Sequence, residues 1–183
     1  MVLLESEKIK LGSQMPDFSL LDTQNNLHSL DSSLGSKGLL LVFTCNHCPY
    51  AIAVWERLIA LAQLAKDQFI NTVAINPNIH PDYPQDSPEA MAALVEEKGL
   101  QFPYLIDATQ EVAKRYDAVC TPDIYLLDSN AKLFYHGRID DNWQNESAVQ
   151  HKELEAAIQK LANNEDPPLT QYPSMGCSIK WLS

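Results

Sequence analysis

Gly38-Leu-Leu-Leu-Val-Phe-Thr-Cys45-Asn-His-Cys48-Pro49-Tyr50, running on into Ala51-Ile-Ala-Val-Trp-Glu-Arg57-Leu-Ile-Ala60, is the stretch whose reading decides the fold. Gly38 to Thr44 is an unbroken apolar run bounded by glycine, the pattern of a strand covered on both faces in the middle of a sheet. At Pro49 the period changes. From there to about Gln68, Ile52, Trp55, Leu58, Ile59 and Ala62 recur three and four apart, while Glu56, Gln63, Lys66 and Asp67 fall on other faces, which predicts a helix with Trp55 in its core stripe. Pro49 suits the first turn, where a backbone N–H has no intrahelical acceptor to lose. Ile70 to Ile75 reads as the next strand, so strand–helix–strand predicts a right-handed parallel crossover.

The junction carries the chemistry. Cys45 and Cys48, three apart at a helix start, can close a small disulfide with little backbone movement. Unpaired N–H groups and the positive end of the helix dipole converge there, and both favour thiolate, the nucleophilic form, over thiol. The expected roles are Cys45 as attacking thiolate, Cys48 as the thiol that resolves a mixed disulfide, and His47 as a charge that lowers the Cys45 pKa when protonated. Cys-x-x-Cys between a strand and a helix is a redox signature. Its rival is a soft-ligand site in which Cys45, His47, Cys48 and a distant Cys120 or histidine hold zinc or cuprous copper. A second Cys-x-x-Cys and a clear histidine pair are both missing, so neither a metal nor an organic cofactor is expected.

The rest of the chain is consistent with one α/β domain over 1–183. Phe18–Leu21 and Leu27–Ser29 read as an N-terminal hairpin. Asn76–Asp86 holds three prolines and no periodicity, so it reads as a loop, with His80–Pro84 a rigid connector. Ser87-Pro88-Glu89 opens a helix with cap, proline and acid in order; Met91, Leu94 and Val95 are its stripe and Gly99 its end. A short strand at Tyr104–Ile106 and a short helix at Glu111–Tyr116 follow. Ile124–Leu127 and Leu133–Tyr135 form a second hairpin around Asp128-Ser-Asn130. The last helix is expected over about Glu146–Ala162, and 163–183, with Pro167, Pro168 and Pro173, reads as an irregular tail. His28, His136 and His151 read as isolated surface or packing residues, and Arg138, Asp140 and Asp141 as a solvated turn.

With 45% hydrophobic and 20% charged residues the composition is that of a soluble globule. The net charge of −11 repels nucleic acid and anionic membranes, and would steer a basic partner faster than an acidic one. The longest apolar run, Leu39–Phe43, is too short to cross a bilayer. Acids among the first eight residues do not suit a signal peptide, so a cytoplasmic protein is expected, or a mature form whose leader was removed. Four cysteines in a chain of this length are not a disulfide scaffold.

Three further motifs carry a resemblance. Cys120-Thr-Pro-Asp-Ile-Tyr-Leu-Leu127 sets Pro122 just before a strand. Met15-Pro-Asp-Phe-Ser-Leu-Leu-Asp22 is similar to a P-x-F-x-L opening, and Gly99-Leu-Gln-Phe-Pro-Tyr-Leu-Ile-Asp107 to a G-x-x-F-P-x-x-x-D stretch. Over roughly Leu11 to Ala162 the chain resembles the thioredoxin superfamily, within it the redoxin (AhpC/TSA) branch and its peroxiredoxin-like members. The resemblance implies a thioredoxin-like fold: a central mixed sheet of four or five strands, helices on both faces, and an added N-terminal β-hairpin. It implies that Thr121-Pro122 is the threonine/cis-proline corner that grips an extended substrate opposite the two cysteines. The activity implied is thiol–disulfide oxidoreduction, with a protein or small-molecule disulfide substrate and a thiol electron donor. The alternative is a thiol peroxidase with an antioxidant role.

The departures from the family are specific. Thioredoxins place Trp before the first cysteine and Gly-Pro between the two; here stand Thr44 and Asn46-His47. They bury an acid in the preceding strand, and Gly38–Thr44 has none. Peroxiredoxins need P-x-x-x-T-x-x-C; counted back from Cys48, the Thr position is Cys45 and the Pro position Leu41. The three arginines are Arg57, Arg115 and Arg138, and Cys120-Thr121 occupies the peroxide-polarising site, so efficient peroxidase activity is not expected. Cys120 and Cys177 are candidate accessory thiols; the plainer expectation is a buried small residue for one and an inert cysteine in a docked tail for the other.

Overall fold

The computed structural model describes residues 2–182. In chain order they form β1 (Leu3–Glu5), β2 (Ser19–Asp22), β3 (Leu27–Ser29), α1 (Leu30–Ser33), β4 (Gly38–Phe43), α2 (Pro49–Asp67), β5 (Ile70–Asn76), α3 (Pro88–Lys98), β6 (Tyr104–Ile106), α4 (Glu111–Arg115), β7 (Cys120–Thr121), β8 (Asp123–Asp128), β9 (Leu133–Gly137), α5 (Glu153–Ala162) and β10 (Met175–Ser178). Seven strands make one mixed sheet in the order β3-β2-β6-β5-β4-β8-β9. β4 runs parallel to β5 and antiparallel to β8, and β5 runs parallel to β6. The strands from β6 to β9 are the expected mixed sheet, and the β2–β3 hairpin extends it along β6. This is a thioredoxin-like fold.

All of β4 is buried, which accounts for its unbroken apolar sequence. Its side chains alternate between two cores. Leu40 and Val42 pack with Val54, Trp55 and Leu58 of α2 and with Leu154 and Ile158 of α5. Leu39, Leu41 and Phe43 point the other way, onto Val112 and Ala113 of α4 and onto Met15 and Phe18. Two layers of helix on a sheet buried on both faces bring the end of β4 and the start of α2 to one edge of the molecule's core.

Several expectations need correction. The stripe of α2 includes Ala51 and Val54, and Ile52 is 53% exposed, because Ala51 is the residue that faces the cysteines. The last helix starts at Glu153; Glu146–Ala148 is a separate 3-10 turn. The turn after β9 is not solvated throughout: Asp140 is buried, 2.5 Å from Arg57 Nη1, and the guanidinium also donates to the Asn142 and Trp143 carbonyls. That clamp lays Trp143 over Tyr50 at the start of α2, ring centroids 3.9 Å apart. His136, far from isolated, is buried with its Nε2 2.9 Å from buried Asp123.

The tail is the largest correction. Residues 175–178 are a strand, β10, which pairs antiparallel with β1 on one side and β7 on the other. Gly176 makes this possible: a Cβ there would stand 2.0 Å from the Thr121 carbonyl oxygen, so only glycine lets the two backbones meet. Beyond β10, Ile179 joins the core under α4, and the Lys180 N–H donates to Asn78 Oδ1 at 2.7 Å.

Candidate functional site

β4 ends one residue before Thr44, whose N–H continues the ladder to the Ile75 carbonyl at 2.9 Å, and the chain then turns into α2 with Cys48 as N-cap and Pro49 in the first turn. Cys45 and Cys48 are both fully buried. Cys45 Sγ lies 3.2 Å from Thr121 Oγ1, and Cys48 Sγ lies 3.2 Å from the Thr121 carbonyl oxygen. The Thr121–Pro122 peptide bond is cis. Four of the residues singled out in the sequence, Cys45, Cys48, Thr121 and Pro122, therefore converge. A cleft of about 240 Å³ runs past Pro122 and is lined also by Trp143, Tyr172 and Met175.

Cys177 joins them. In the β10–β7 register it stands opposite Thr121, and its side chain packs beside Cys48. Cys45, Cys48, Ala51 and Cys177 form a small buried cluster of their own, with Tyr50 against it. Cys120, next along β7, is buried with its Sγ 3.9 Å from the Pro122 carbonyl, and burial followed by the Asp123 charge holds its thiol far above the ordinary range.

His47 turns toward the loop that follows β5. Its Nδ1 is spent on Asp86, and its Nε2 is buried with no partner among the described residues. Asp86 is fully buried; it accepts from the Asn46 N–H at 2.6 Å and from Asn76 Nδ2 at 3.0 Å, while Tyr104 OH donates to Asn46 Oδ1 at 3.0 Å. The three-proline loop is thus more than a connector, since it delivers Asp86 beneath the Cys45–Cys48 turn and lays Tyr83 on the His47 ring. Sequence reasoning missed Asp86 altogether. The signal available was the stiffness of its loop.

These neighbours set the thiols apart. Burial, then the hydrogen bond with Cys48, then the Asp86 charge hold the Cys45 thiol well above its ordinary range. Cys48 moves the other way, from 9.0 to about 5: the Cys45 hydrogen bond lowers it most, the Cys177 side chain and the N–H groups of Ala51 and Cys177 add to that, and burial opposes. A sulfur at a helix N-cap that collects four donors keeps the negative charge. The direction of both shifts favours Cys48 over Cys45 as the more readily ionised thiol. Cys177 is pushed up to about 12, by burial first and by Cys48 second.

As for metals, the potential ligand atoms of Cys45, His47 and Asp86 lie within 4.8 Å of one another. That set has one sulfur and is not the Cys45–His47–Cys48 set anticipated. No helix among the described residues is long and apolar enough to cross a membrane.

A model of the AhpC/TSA family matches residues 11–136. The thiol-disulfide oxidoreductase ResA of Geobacillus kaustophilus is 30% identical over 129 residues, 70% of either chain. Among solved structures, an uncharacterized conserved protein from Geobacillus kaustophilus superposes with a TM-score of 0.94 at 41% identity, over 100% of this chain and 97% of that one. A hypothetical protein from Sinorhizobium meliloti 1021 gives 0.92 at 39% identity, over 98% of both. The family match stops before α5, so β10 and Cys177 lie outside it, whereas the two full-length likenesses take in the whole fold.

Proposed function

The chain belongs to the AhpC/TSA family of the thioredoxin superfamily and is a thiol–disulfide oxidoreductase; from that premise we propose that Cys45 and Cys48 are the dithiol it cycles and that Thr121-Pro122 is the corner against which a disulfide substrate is held. The observation that carries this is the convergence of both sulfurs on Thr121, each at 3.2 Å, beside a cis-proline and a cleft.

In the reducing direction the Cys48 thiolate attacks one sulfur of the substrate disulfide. The other sulfur leaves with the electron pair and takes a proton. Cys45 then gives its proton to the His47–Asp86 pair and attacks Cys48 Sγ, forming Cys45–Cys48 and expelling the second substrate thiol. Two electrons leave the dithiol and reduce the substrate; a thiol donor restores the enzyme by the reverse exchange. Asp86 does for Cys45 what an acid in the strand does elsewhere: buried and within 4.8 Å, it offers a proton acceptor to a thiol that holds its proton tightly. Substrates and donors are proteins or small molecules bearing disulfides and thiols. A cytoplasmic setting belongs to the same proposal, tested by cell fractionation.

Arg57 is engaged by Asp140, Arg138 by Glu153 and Arg115 by the Glu111 carbonyl, which supports the oxidoreductase over the peroxidase or antioxidant reading; Arg138 also lines the cleft past Pro122.

The test is redox equilibration of metal-free protein in glutathione buffers, followed by alkylation and peptide mapping. A reversible Cys45–Cys48 bond at a potential between about −300 and −120 mV is expected, and its value says whether the protein reduces or oxidises its substrate. If Cys45 and Cys48 never pair under any buffer, the reading is wrong, and stoichiometric zinc or copper in the purified protein would put a metal module in its place.

A further inference from the structure

We propose that Cys177 is a third redox cysteine, carried to Cys48 by a strand that occupies the position of an extended substrate, and that a Cys45–Cys48 disulfide exchanges with a Cys48–Cys177 disulfide. The inference rests on the dithiol reading only for the source of the bond that is exchanged.

The geometry is specific at each level. β7 is a two-residue edge beside the buried sulfurs, and its backbone groups are what an extended peptide would pair with. β10 has taken that edge in antiparallel register, and the residue it sets opposite Thr121 is a cysteine. The next residue back is Gly176, whose missing Cβ is what allows the approach. The register is locked from outside as well: Leu3 of β1 pairs with Cys177, the Ser178 N–H donates to the Val2 carbonyl at 2.9 Å, and the Ile179 N–H donates to the Val119 carbonyl at 3.0 Å. Farther along, buried Gln110 takes the Lys180 carbonyl and the Leu182 N–H, each at 2.7 Å. A cysteine that merely fills space has no need of contact with the one sulfur that carries the thiolate. This one packs into one buried cluster with Cys45, Cys48 and Ala51, opposite Thr121.

The exchange is balanced without a further oxidant. Cys177 gives up its proton and attacks Cys48 Sγ; the Cys48–Cys177 bond forms as the Cys45–Cys48 bond breaks, and Cys45 leaves with the electron pair and takes the proton. The groups facing Cys177 favour the direction. The Cys48 charge that holds its thiol up is gone once Cys48 is in a disulfide, while Lys180 continues to pull it down. Cys45, beside Asp86, is the thiol that keeps its proton.

The experiment uses Cys45→Ser and Cys45→Ala proteins, oxidised with diamide or glutathione disulfide and mapped without reduction. A Cys48–Cys177 bond in more than half of the molecules is expected in both. In the wild-type protein the two bonds are isomers at equal oxidation state, so their ratio stays constant while the glutathione potential is varied. If Cys48 in both variants carries only glutathione or pairs with Cys120, with Cys177 still open to alkylation, the proposal is overturned. Failure of the two readings is separable. Wild-type protein lacking Cys45–Cys48 at every potential while the variants form Cys48–Cys177 sinks the dithiol reading and the exchange but leaves Cys177 a redox thiol; the opposite pattern sinks the Cys177 proposal alone.

Discussion

Two segments reach the same buried sulfurs from opposite ends of the chain, and they are built on different rules. The β4–α2 junction is local: an apolar run, a turn and a proline-started helix place Cys45 and Cys48 within one stretch of sequence. β10 is the reverse. Met-Gly-Cys-Ser has little strand propensity, and it becomes a strand because β1 and β7 offer it two edges and Gly176 lets it in. The first segment makes the dithiol and supplies the largest influence on Cys48, its partner Cys45; the second adds to it through Cys177.

The comparison breaks first at the thiols. Cys48→Ser should lower the rate of reduction of an aromatic disulfide by about 10³-fold or more, because the nucleophile itself is gone. Cys177→Ser should change it by less than about tenfold. Equal losses in stopped-flow assays of the two variants would erase the distinction between a local dithiol and a delivered third thiol.

Gly176→Ala alters no thiol and attacks the delivery alone. A methyl group 2.0 Å from the Thr121 carbonyl forces β10 away from β7. Iodoacetamide labelling of Cys48 and Cys177 should quicken by about an order of magnitude, with a stability loss of about 1–3 kcal/mol in denaturant melts. Unchanged labelling would mean that β10 does not cover the site.

The charge placement gives a pH signature of intermediate size. In reduced protein, Cys48 alkylation should titrate with a midpoint near pH 5 and Cys45 should react only in alkali. Cys177→Ala should raise the Cys48 midpoint. Stability follows with opposite signs. Between about pH 5 and 9 the unfolded chain keeps the Cys48 proton that the folded one has lost, so stability rises with pH. Above pH 9 the unfolded chain releases the protons that folded Cys45 and Cys177 retain, so stability falls as pH climbs toward 12. A melting-temperature profile flat from pH 5 to 9 would contradict the Cys48 assignment.

Asp86→Asn tests the proton acceptor. Removing its charge takes away one of the causes that hold the Cys45 thiol up, so the onset of Cys45 alkylation should move to lower pH. Closure of the mixed disulfide should slow by about 10²-fold, for want of a proton acceptor. A rate insensitive to this change would return that role to water.

What was legible in the sequence was whatever local chemistry writes. The central strand, the long helix, the Cys-x-x-Cys and Thr121-Pro122 follow from period, punctuation and family likeness. What escaped depends on contacts between segments far apart. Asp86 is an ordinary acid in a loop until the fold sets it under Asn46. Arg57 looks like a solvent-facing charge of α2 until Asp140 and two carbonyls close over it. Position at a helix start points to Cys45 as the readily ionised thiol, whereas Cys48 is the N-cap, and its neighbours on β10 have no mark in the sequence beyond a glycine beside a cysteine.

β1 holds no reactive group, yet it forms one of the two rails between which β10 lies, through Leu3, Leu4 and Glu5. The head of the chain is therefore a mechanical latch on chemistry near its tail. Loosening it, by a fused segment or by a partner that competes for the same strand, would release the third sulfur from the other two. Events at the first few residues would then be felt as a change of redox reactivity at the far end of the sequence.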